Sequence, residues 1–262
     1  MNNSVSVIIV NFKSQEYLKR CLESLRLLIL SKEILEIVVI NNDSKENLSF
    51  LTEDFPDIRV VGNKNDGLGK AWNLGRKLSQ GEILWFLNPD TEIVENSLKG
   101  IKKAFDEDER LAVIGPRLIT EKGVSQFWSA GKETGLLDIA LNNAGWIRSR
   151  RIWESQSPTE TDWVSGAAFF LRASHFDRLG GFDEKIVRYF EDMDFCRRAR
   201  KEGLKVLFYP LFSVRHFCGR SHKDKRQQKI DFYSSQDYYF RKHHGSIQSA
   251  ILRTLRRLLL LT

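Results

Sequence analysis

Three features that many proteins have are scarce or missing in this 262-residue sequence. It contains three cysteines, Cys21, Cys196 and Cys218, and their spacing excludes a CxxC zinc site. So few cysteines, odd in number, argue against a disulfide framework and favour a reducing, cytosolic compartment. No run approaches the ~18 uncharged apolar residues that a membrane-spanning helix needs. The first four residues lack the basic segment of a secretion signal, so we expect no cleaved leader.

The positive charge of the chain is confined to its end. The sequence has 41 Lys and Arg against 34 Asp and Glu, a net charge of +7. Residues 215–262 hold 11 basic and 3 acidic side chains, so the preceding 214 residues carry a net charge of only −1. A polyanion would therefore bind to the tail and not to the body. With 42% apolar and 29% charged residues, the composition fits neither a disordered chain nor a polytopic membrane protein.

The first hundred residues alternate strand and helix patterns. Runs of β-branched and other apolar residues predict buried strands, and apolar residues at helical spacing predict helices. The predicted strands are 5–10, 34–40, 58–61 and 82–87, and the predicted helices are 14–28 and 67–78. Strands that alternate with helices form right-handed βαβ units, so we expect an α/β fold whose parallel sheet is covered on both faces.

The second half of the chain has weaker patterns. Residues 117–160 are rich in Gly, Ser, Trp and Arg without a sustained period, which indicates an irregular excursion over a ligand crevice. We predict a strand at 163–171, a helix at 191–201 and extended segments at 204–209 and 212–216. No repeat or low-complexity linker divides the chain into independent domains.

Polar clusters follow three of the predicted strands, at Asn11, at residues 41–44 and at residues 88–90. Ligands of open α/β sheets bind outside the carboxyl ends of the strands, so these clusters predict one shared crevice. Asp90 in the last cluster suits a hard divalent cation, which keeps several waters and bridges to substrate phosphates. A Pro-Asp turn that merely ends the strand explains Asp90 as well.

Two further stretches are weaker candidates for ligand contacts. Residues 65–73 space their glycines at the entry to a predicted helix. Close backbone approach of a nucleotide explains these glycines, and a plain loop-to-helix junction explains them almost as well. His216 ends an apolar segment and is a candidate metal or phosphate contact, although most single histidines are not ligands.

The densest chemical signal is the acidic cluster of Glu191, Asp192 and Asp194, which follows the glycine-rich stretch 180–184. Three acids in four positions repel one another unless they are solvated, metal-bound or opposite cations. The predicted helix begins here, and its dipole favours the ionised carboxylate that a general base requires. Glu191 and Asp194 share a helical face, whereas Asp192 points elsewhere. N-terminal charging of a helix explains one or two of these acids, but less well all three.

In their order and spacing, these motifs resemble family 2 of the inverting glycosyltransferases over residues 4–245. The matching stretches are 5–12, 39–44, 65–75, 88–90, 163–169, 180–184, 191–194 and His216. The resemblance implies the GT-A fold, an α/β sandwich with a mixed, mostly parallel sheet flanked by helices. It also implies transfer of a sugar from a nucleotide-diphospho-sugar to an acceptor hydroxyl, with inversion. We expect residues 1–116 to form the nucleotide-sugar-binding half and 117–245 the acceptor-binding half of one domain, followed by a basic amphipathic helix at 246–262.

Residues 87–90 and 238–245 resemble the subgroup of rhamnosyltransferases that extend lipid-linked surface polysaccharides. This similarity makes L-rhamnose from dTDP-rhamnose the best prediction for the donor and a lipid-linked saccharide the predicted acceptor. A UDP-hexose or a UDP-N-acetylhexosamine is the alternative donor. Since the subgroup rests on family analogy, the residues themselves do not fix the sugar.

The resemblance also implies roles for individual residues. Asp192 matches the general base, with Glu191 beside it in the catalytic pair, and Asp90 and His216 match the ligands of Mg²⁺ or Mn²⁺. The implied donor contacts are Asn11, Asn41, Asn42, Asp43, Gly67, Asn73 and Asn88, and the implied acceptor contacts are Asp183, Asp194 and Trp163. Two positions depart from the family pattern: Asn88 replaces the first acid of the DxD motif, and Asn41 stands where many relatives have Asp.

The last residues predict a helix with a charged and an apolar face. Positions 247, 251, 255 and 258 are apolar, and Arg253, Arg256 and Arg257 surround them. This pattern suits an interfacial helix on an anionic membrane, which would keep a cytoplasmic enzyme at the inner face of the cell membrane. The alternative is a helix packed on the body, or on a partner subunit in a homodimer.

Two other classes of function fit the sequence less well than a glycosyltransferase. A nucleic-acid-binding protein could use the basic tail, but the sequence has no RNA-recognition, zinc or helix-turn-helix signature and the neutral body offers no groove lining, so we expect no nucleic acid partner. A sugar-phosphate nucleotidyltransferase needs a basic, glycine-rich loop after the first strand. Residues 11–14 do not supply one.

Overall fold

The computed structural model describes residues 3–56, 58–143, 145–218 and 225–260. Its first half follows the predicted alternation of strands and helices. The elements are β1 (Val5–Asn11), α1 (Gln15–Leu30), β2 (Glu36–Asn41), α2 (Ser49–Asp54), β3 (Ile58–Gly62), α3 (Leu68–Leu78), β4 (Ile83–Leu87), β5 (Thr91–Glu95) and α4 (Leu98–Glu107).

The second half contains more regular structure than the sequence predicts. Its elements are β6 (Leu111–Ile119), β7 (Ala130–Gly131), α5 (Leu136–Asn143), α6 (Arg150–Trp153), β8 (Thr159–Thr161), β9 (Trp163–Val164), β10 (Ala168–Arg172), α7 (Ala173–Arg178), α8 (Glu191–Lys201), β11 (Lys205–His216) and α9 (Lys225–Leu260). The predicted irregular excursion at 117–160 is therefore wrong in part, because it contains the end of β6, two helices and two short strands. Helix α8 has the predicted bounds.

Most strands form one mixed sheet in the order β3-β2-β1-β4-β10-β6-β11-β5, with β8 paired to β11 beside this path. The pairs β2–β3, β1–β2, β1–β4 and β6–β11 are parallel. Strand β10 runs antiparallel to both of its neighbours, and β5 runs antiparallel to β11. The predicted α/β fold with a mixed, mostly parallel sheet flanked by helices is confirmed.

Alternation of side chains along the central strands produces two apolar layers. In β1, Val7 and Ile9 face one layer, whereas Ile8 and Val10 face the other. Helices α1 and α4 cover the first layer, and α3, α7 and α8 cover the second. Each fully buried aliphatic side chain contributes about 1.5–3 kcal/mol relative to an exposed one, so the two layers stabilise the sheet that carries the strand ends.

Two predicted extended segments differ in the structure. The strand predicted at 163–171 is wrong as a single strand, since β9 pairs with β7 in a separate two-stranded sheet and the chain turns before β10. The N–H groups of that turn bond elsewhere: Ser165 donates to the carbonyl of Ser129, and Gly166 donates to a carboxylate of α8. The segments predicted at 204–209 and 212–216 form one strand, β11, with a register shift between Tyr209 and Ser213.

Helix α9 is broken at Gly245, whose φ of 88° and ψ of 168° are non-helical. L-residues rarely adopt this positive φ, which explains the glycine. The second half of the helix folds back along the first, because Asp237 accepts hydrogen bonds from both Ser249 and Arg256. Among the described residues, no helix combines the length and the hydrophobicity needed to span a membrane.

Candidate active site

A cleft of about 1170 Å³ opens at the carboxyl ends of β1, β2 and β4. It brings together eight of the residues that the sequence singled out: Asn42, Gly67, Asn88, Asp90, Trp163, Glu191, Asp192 and His216. The others, Asn11, Asn41, Asp43, Asn73, Asp183 and Asp194, do not line it. The cleft lies where α/β sheets bind their ligands.

The Asp192 carboxylate is held at the edge of this cleft by two backbone donors. The N–H of Gly166 bonds to Oδ2 at 2.6 Å, and the N–H of Met193 bonds to Oδ1 at 2.7 Å. Burial raises the pKa of Asp192, and these N–H donors oppose the rise because they favour the ionised form. Both carboxylate oxygens are therefore fixed in direction, while burial outweighs the two N–H bonds and the pKa of Asp192 lies above its usual range.

The backbone just before α8 is in an uncommon conformation. Tyr189 and Phe190 have φ values of 65° and 70°, in the left-handed region that non-glycine residues rarely adopt. Such residues cost roughly 1–3 kcal/mol each and cluster at functional sites. Here they turn the chain so that the first residues of α8 reach the cleft.

Glu191 precedes Asp192 but lies in a different environment. It is 5% exposed, and within the described part of the chain its Oε2 has no hydrogen-bond partner. Burial and the neighbouring charge of Asp192 raise the pKa of Glu191 to about 8. Two adjacent acids that repel one another share their protons as a pair, and the one with N–H donors ionises first. Glu191 is thus the member of the pair that holds its proton more strongly, and Asp192 is the member that ionises first.

Asp90 and His216 meet on the side of the cleft formed by the ends of β4 and β11. Nε2 of His216 lies 3.5 Å from Oδ1 of Asp90, which is 3% exposed. The other ring nitrogen, Nδ1, is 3.0 Å from Oε1 of Gln126, which orients the imidazole. Strand pairing produces this meeting, since His216 is in register with Thr91, the residue after Asp90.

This pair fits a divalent cation that also takes substrate oxygens. Over residues 3–56, 58–143, 145–218 and 225–260, no three His, Cys, Asp or Glu side chains cluster as a metal site. Mg²⁺ and Mn²⁺ prefer oxygen ligands, and Mg²⁺ commonly keeps waters and binds through one or two carboxylates plus the phosphates of a substrate. One carboxylate with one oriented imidazole is compatible with that mode and not with a closed, all-protein cage.

Three of the predicted donor contacts instead order the loop after β2. The Asn11 amide donates to Oε2 of Glu46 at 2.6 Å and to Oδ1 of Asn41 at 3.1 Å. The Asn41 amide in turn donates to the carbonyl of Asp43 at 3.0 Å. These bonds leave Asn42 as the member of this polar cluster that lines the cleft. The sequence located the loop correctly but did not reveal which of its side chains face inward.

Asn73 has a similar supporting position. Its Oδ1 accepts the N–H of Phe182 at 2.9 Å, and its Nδ2 donates to the Phe182 carbonyl at 3.0 Å. A Cβ at Gly181 would lie 2.6 Å from the same Oδ1, so the glycine permits this close approach. Asn73 thus fastens the loop at 180–184 to α3, and the predicted donor contact is replaced by a role in holding the loop.

Asp194, predicted to contact the acceptor, faces away from the cleft towards α9. It is fully buried and accepts bonds from Nε of Arg198 at 2.8 Å, Nε2 of His243 at 2.7 Å and Nζ of Lys242 at 2.6 Å. Burial opposes ionisation, but these partners outweigh it and hold the pKa of Asp194 well below its usual range.

Asp183 belongs to the same connection between the body and α9. Its Oδ2 accepts bonds from the Tyr238 hydroxyl at 2.9 Å and from Lys242 at 2.6 Å. Burial raises its pKa, but the bonds from Lys242, the Lys185 N–H and Tyr238 outweigh burial and lower the pKa. In the sequence, residues 238–245 resemble the rhamnosyltransferase subgroup but do not predict this anchoring role. No local signal pairs residues that lie some fifty positions apart.

Trp163 is the predicted acceptor contact that does line the cleft. It is 7% exposed, and its Nε1 donates to the carbonyl of Lys132 at 3.0 Å. The sequence did not reveal that α9 forms a further wall of the cleft. That wall includes Phe232, Tyr233, Tyr239, Phe240, Leu252 and Leu255.

A mixed, mostly parallel sheet flanked by helices, with a cleft at its strand ends, is the architecture of a GT-A glycosyltransferase. The family model described as glycosyl transferase family 2 matches residues 6–179, well over half of the chain. The chain therefore belongs to glycosyl transferase family 2.

Relatives and a solved structure agree with this assignment. The chain is 26% identical to "Rhamnosyltransferase WbbL" of Escherichia coli K12, covering 85% of each sequence. It is also 26% identical to "N-acetylglucosaminyl-diphospho-decaprenol L-rhamnosyltransferase" of Mycobacterium tuberculosis, over 98% of this chain and 90% of that one. The crystal structure of GalNAc-T7 with UDP, GalNAc and Mn²⁺ is similar at a TM-score of 0.63 and 19% identity. That alignment covers 82% of this chain but only 44% of the other, so it shows the fold alone.

Replacement of Glu191 by Gln should change how stability depends on pH. A protein with a carboxyl group whose pKa is higher in the folded than in the unfolded state loses stability as pH rises between the two values, here from 4.5 to about 8. Glu191→Gln removes this loss, so its free energy of unfolding should gain on that of the wild type between about pH 5 and pH 8, on the order of 3 kcal/mol. Urea unfolding at several pH values measures the difference. Glu82→Gln, at an exposed residue, is the control and should show no such gain. If the difference in free energy of unfolding between Glu191→Gln and the wild type did not change with pH, the buried, protonated state of Glu191 would be contradicted.

Proposed function

We propose that this enzyme transfers L-rhamnose from a nucleotide-diphospho-rhamnose, with dTDP-rhamnose the first candidate, to a hydroxyl of a lipid-linked saccharide, with inversion. The observation that carries the proposal is the single cleft that contains both the fixed carboxylate of Asp192 and the Asp90–His216 pair. The names of both rhamnosyltransferase relatives support the sugar, and the name of the second supports an acceptor on a diphospho-polyprenol. A UDP-hexose or UDP-N-acetylhexosamine remains the alternative donor.

The donor would occupy the end of the cleft formed by the strand termini. Asn42, Gly67 and Asn88 line this end, and Gly67 has a φ of 137° that favours glycine. The diphosphate would lie beside Asp90 and His216, which we propose as the protein ligands of Mg²⁺ or Mn²⁺. Such an ion neutralises the charge that develops on the departing diphosphate. Because Asn88 supplies no charge, Asp90 is the carboxylate on which this site depends.

Asp192 acts as the general base in this proposal. It accepts the proton of the acceptor hydroxyl while the hydroxyl oxygen attacks the anomeric carbon on the face opposite the diphosphate. The bond from the anomeric carbon to the diphosphate oxygen breaks, its electrons leave with the nucleoside diphosphate, and the configuration inverts. The two N–H groups that hold Asp192 fix the direction from which it accepts the proton.

Glu191 has a separate role. As a protonated acid it would donate a hydrogen bond to a sugar oxygen in the cleft from Oε2, the oxygen that has no partner among the described residues. Asp183 and Asp194 position α8 and its neighbouring loop without contacting the acceptor.

Replacement of Asp192 by Asn should abolish transfer while donor binding persists. The amide keeps the shape, but its single oxygen can accept only one of the two N–H bonds and it cannot take a proton. We expect kcat to fall by about 10²–10⁴-fold, with the dissociation constant for dTDP unchanged in isothermal titration calorimetry. Asp106→Asn, an exposed acid on α4, is the matched control and should retain activity. Near-normal turnover by the Asp192 variant would remove Asp192 from the role of base.

Replacement of Asp90 by Asn should remove the dependence of nucleotide binding on metal. In a thermal-shift measurement, dTDP should stabilise the wild type more with Mn²⁺ than with EDTA, because an ion held by Asp90 would add to the binding of the diphosphate. Asp90→Asn should lose most of this difference, whereas Asp66→Asn, an exposed acid paired with Lys70, should keep it. An equal shift of the wild type with Mn²⁺ and with EDTA would rule out the ion.

The last helix supports a location at the inner face of an anionic membrane. Its apolar stripe is exposed, at 78% for Ile247 and 44% each for Ile251 and Leu255, and Arg253 and Arg257 are exposed beside it. Its other face packs on the body through Ser249 and Leu252, and Arg256 is held by Asp237. Packing on the body through one face leaves the apolar stripe of the other face exposed, which supports the proposed membrane contact. The side chain of Leu258 lies outside the described residues, and the predicted homodimer stays a prediction.

Vesicle flotation tests this location. The wild-type protein should float with vesicles that contain phosphatidylglycerol and stay behind at high salt, since basic residues contribute about 1 kcal/mol each near such a surface. The double variant Ile247→Ser and Ile251→Ser should lose most of the binding. Leu211→Ser, at a residue 52% exposed on β11, should bind like the wild type. Equal flotation of all three proteins would place the membrane contact elsewhere.

A further inference from the structure

The cleft extends beyond the part that a nucleotide-sugar would fill. Its volume of about 1170 Å³ exceeds the roughly 300–1,000 Å³ of a typical small-molecule site. One end is formed by strand termini near Asn42 and Asp90, and the other lies between α5 and α9. Asp192 lines the same cavity, so the second end is continuous with the proposed site of transfer.

The walls of this second end are mostly aliphatic and aromatic. We call them the apolar groove, defined by Leu136 and Ile139 of α5 and by Phe232, Phe240, Leu252 and Leu255 of α9. Leu136 and Ile139 pack against the cluster that contains Phe240 and Leu252, which fixes α5 against α9. Gln236 shares this part of the cleft, but its Oε1 accepts a bond from Arg256 at 3.1 Å.

Part of the apolar groove is still open to water. Phe232 is 38% exposed and Leu255 is 44% exposed, although both line the cleft. The free energy gained by covering apolar surface is about 25 cal/mol per Å², so an apolar occupant would be stabilised here. Polar side chains of α5 and α9, among them Asn142, Gln227, Gln228 and Asp231, also line the cleft. The apolar groove is the part of this end where an apolar occupant gains more than a saccharide, which needs several hydrogen-bonding partners.

The apolar groove continues onto the protein surface. Leu255 belongs both to the groove and to the exposed stripe with Ile247 and Ile251. An apolar chain that leaves the cleft along Leu255 therefore stays on apolar surface until it reaches the face that we place on the membrane.

From this continuity we infer that the apolar groove binds the isoprenoid chain of the acceptor and so directs the attached saccharide towards Asp192. The inference rests on the proposed function for the identity of the acceptor. It adds a binding site for the lipid part, which makes the first isoprene units, and not the saccharide alone, a determinant of acceptor recognition.

Binding of two probes tests the inference without any transfer reaction. Isothermal titration calorimetry, without vesicles or detergent, compares farnesyl diphosphate below its micellar concentration with methyl diphosphate. The wild type should bind the farnesyl probe more tightly. Phe232→Ser and Leu255→Ser should each weaken farnesyl binding about 10-fold, the equivalent of one lost apolar contact of about 1.4 kcal/mol, and leave methyl diphosphate unaffected.

Matched controls are exposed apolar residues outside the cleft and outside the stripe. Ile230 of α9 is 51% exposed and Leu211 of β11 is 52% exposed, and neither lines the cleft, so Ile230→Ser and Leu211→Ser should bind both probes like the wild type. The inference would be wrong if the wild type bound the two probes with equal affinity, or if all four variants lost the same affinity for farnesyl diphosphate.

Kinetics separate this inference from the proposed function. Two acceptors are compared, N-acetylglucosaminyl diphosphate that carries a farnesyl group and the same compound with a methyl group. The groove variants Phe232→Ser and Leu255→Ser should raise KM for the farnesyl acceptor only. If the wild type transfers no sugar from dTDP-rhamnose to either acceptor, the proposed function fails, while a farnesyl preference in calorimetry would still establish the groove. If groove variants impair both acceptors equally, the walls bind saccharide and the inference is wrong.

Discussion

The arrangement of the cleft depends on the ion pairs of one buried carboxylate, that of Asp194. An uncompensated charge in a protein interior costs several kcal/mol, and Asp194 is compensated from two directions, by Arg198 within α8 and by Lys242 and His243 from α9. The same carboxylate therefore joins the helix that carries the proposed base to the helix that forms the far wall. Loss of Arg198, or of Lys242 and His243, would leave the buried charge of Asp194 with too few partners. Both α8 and α9 would then be held less firmly around the cleft.

A second connection runs parallel to the first. Glu133 accepts bonds from Arg197 and Arg200 of α8 and from the hydroxyl of Tyr239 at 2.8 Å. The segment before α5 is thereby tied to α8 and α9 at one point. The three elements that surround the proposed acceptor end of the cleft thus share one set of charged contacts, whereas the donor end is built on the strands of the sheet.

One turn of α8 places three acids in three environments. Asp194 is surrounded by cations and stays ionised. Glu191 is buried, its Oε2 has no partner among the described residues, and it holds its proton more strongly. Asp192 is partly buried but bonded by two N–H groups. Environments that push neighbouring carboxyl groups towards different protonation states are a common way to separate an acid from a base. The structure resolves the repulsion expected from the sequence by giving each acid a different neighbourhood.

Much of the fold follows from local sequence patterns, and the direction of individual side chains does not. The apolar alternation in β1 and the acidic start of α8 were sufficient to predict those elements, because each pattern matches one regular structure. The strand predicted at 163–171 fails because tertiary bonds at Gly166 outweigh local propensity. Polar residues at strand ends located the cleft, but Asn11 and Asn73 resemble ligand contacts in sequence and serve as internal braces, which depends on partners far along the chain.

The break at Gly245 divides the end of the chain into two segments that make different contacts. Residues 238–244 before it carry the anchoring side chains, and residues 246–260 after it carry Leu252, Leu255 and the exposed stripe. Because the bonds to Asp194 come from residues before the glycine, the exposed stripe after it can change in sequence without removing them. The surface that we propose to face lipid can therefore diverge between related enzymes while α8 keeps the same support.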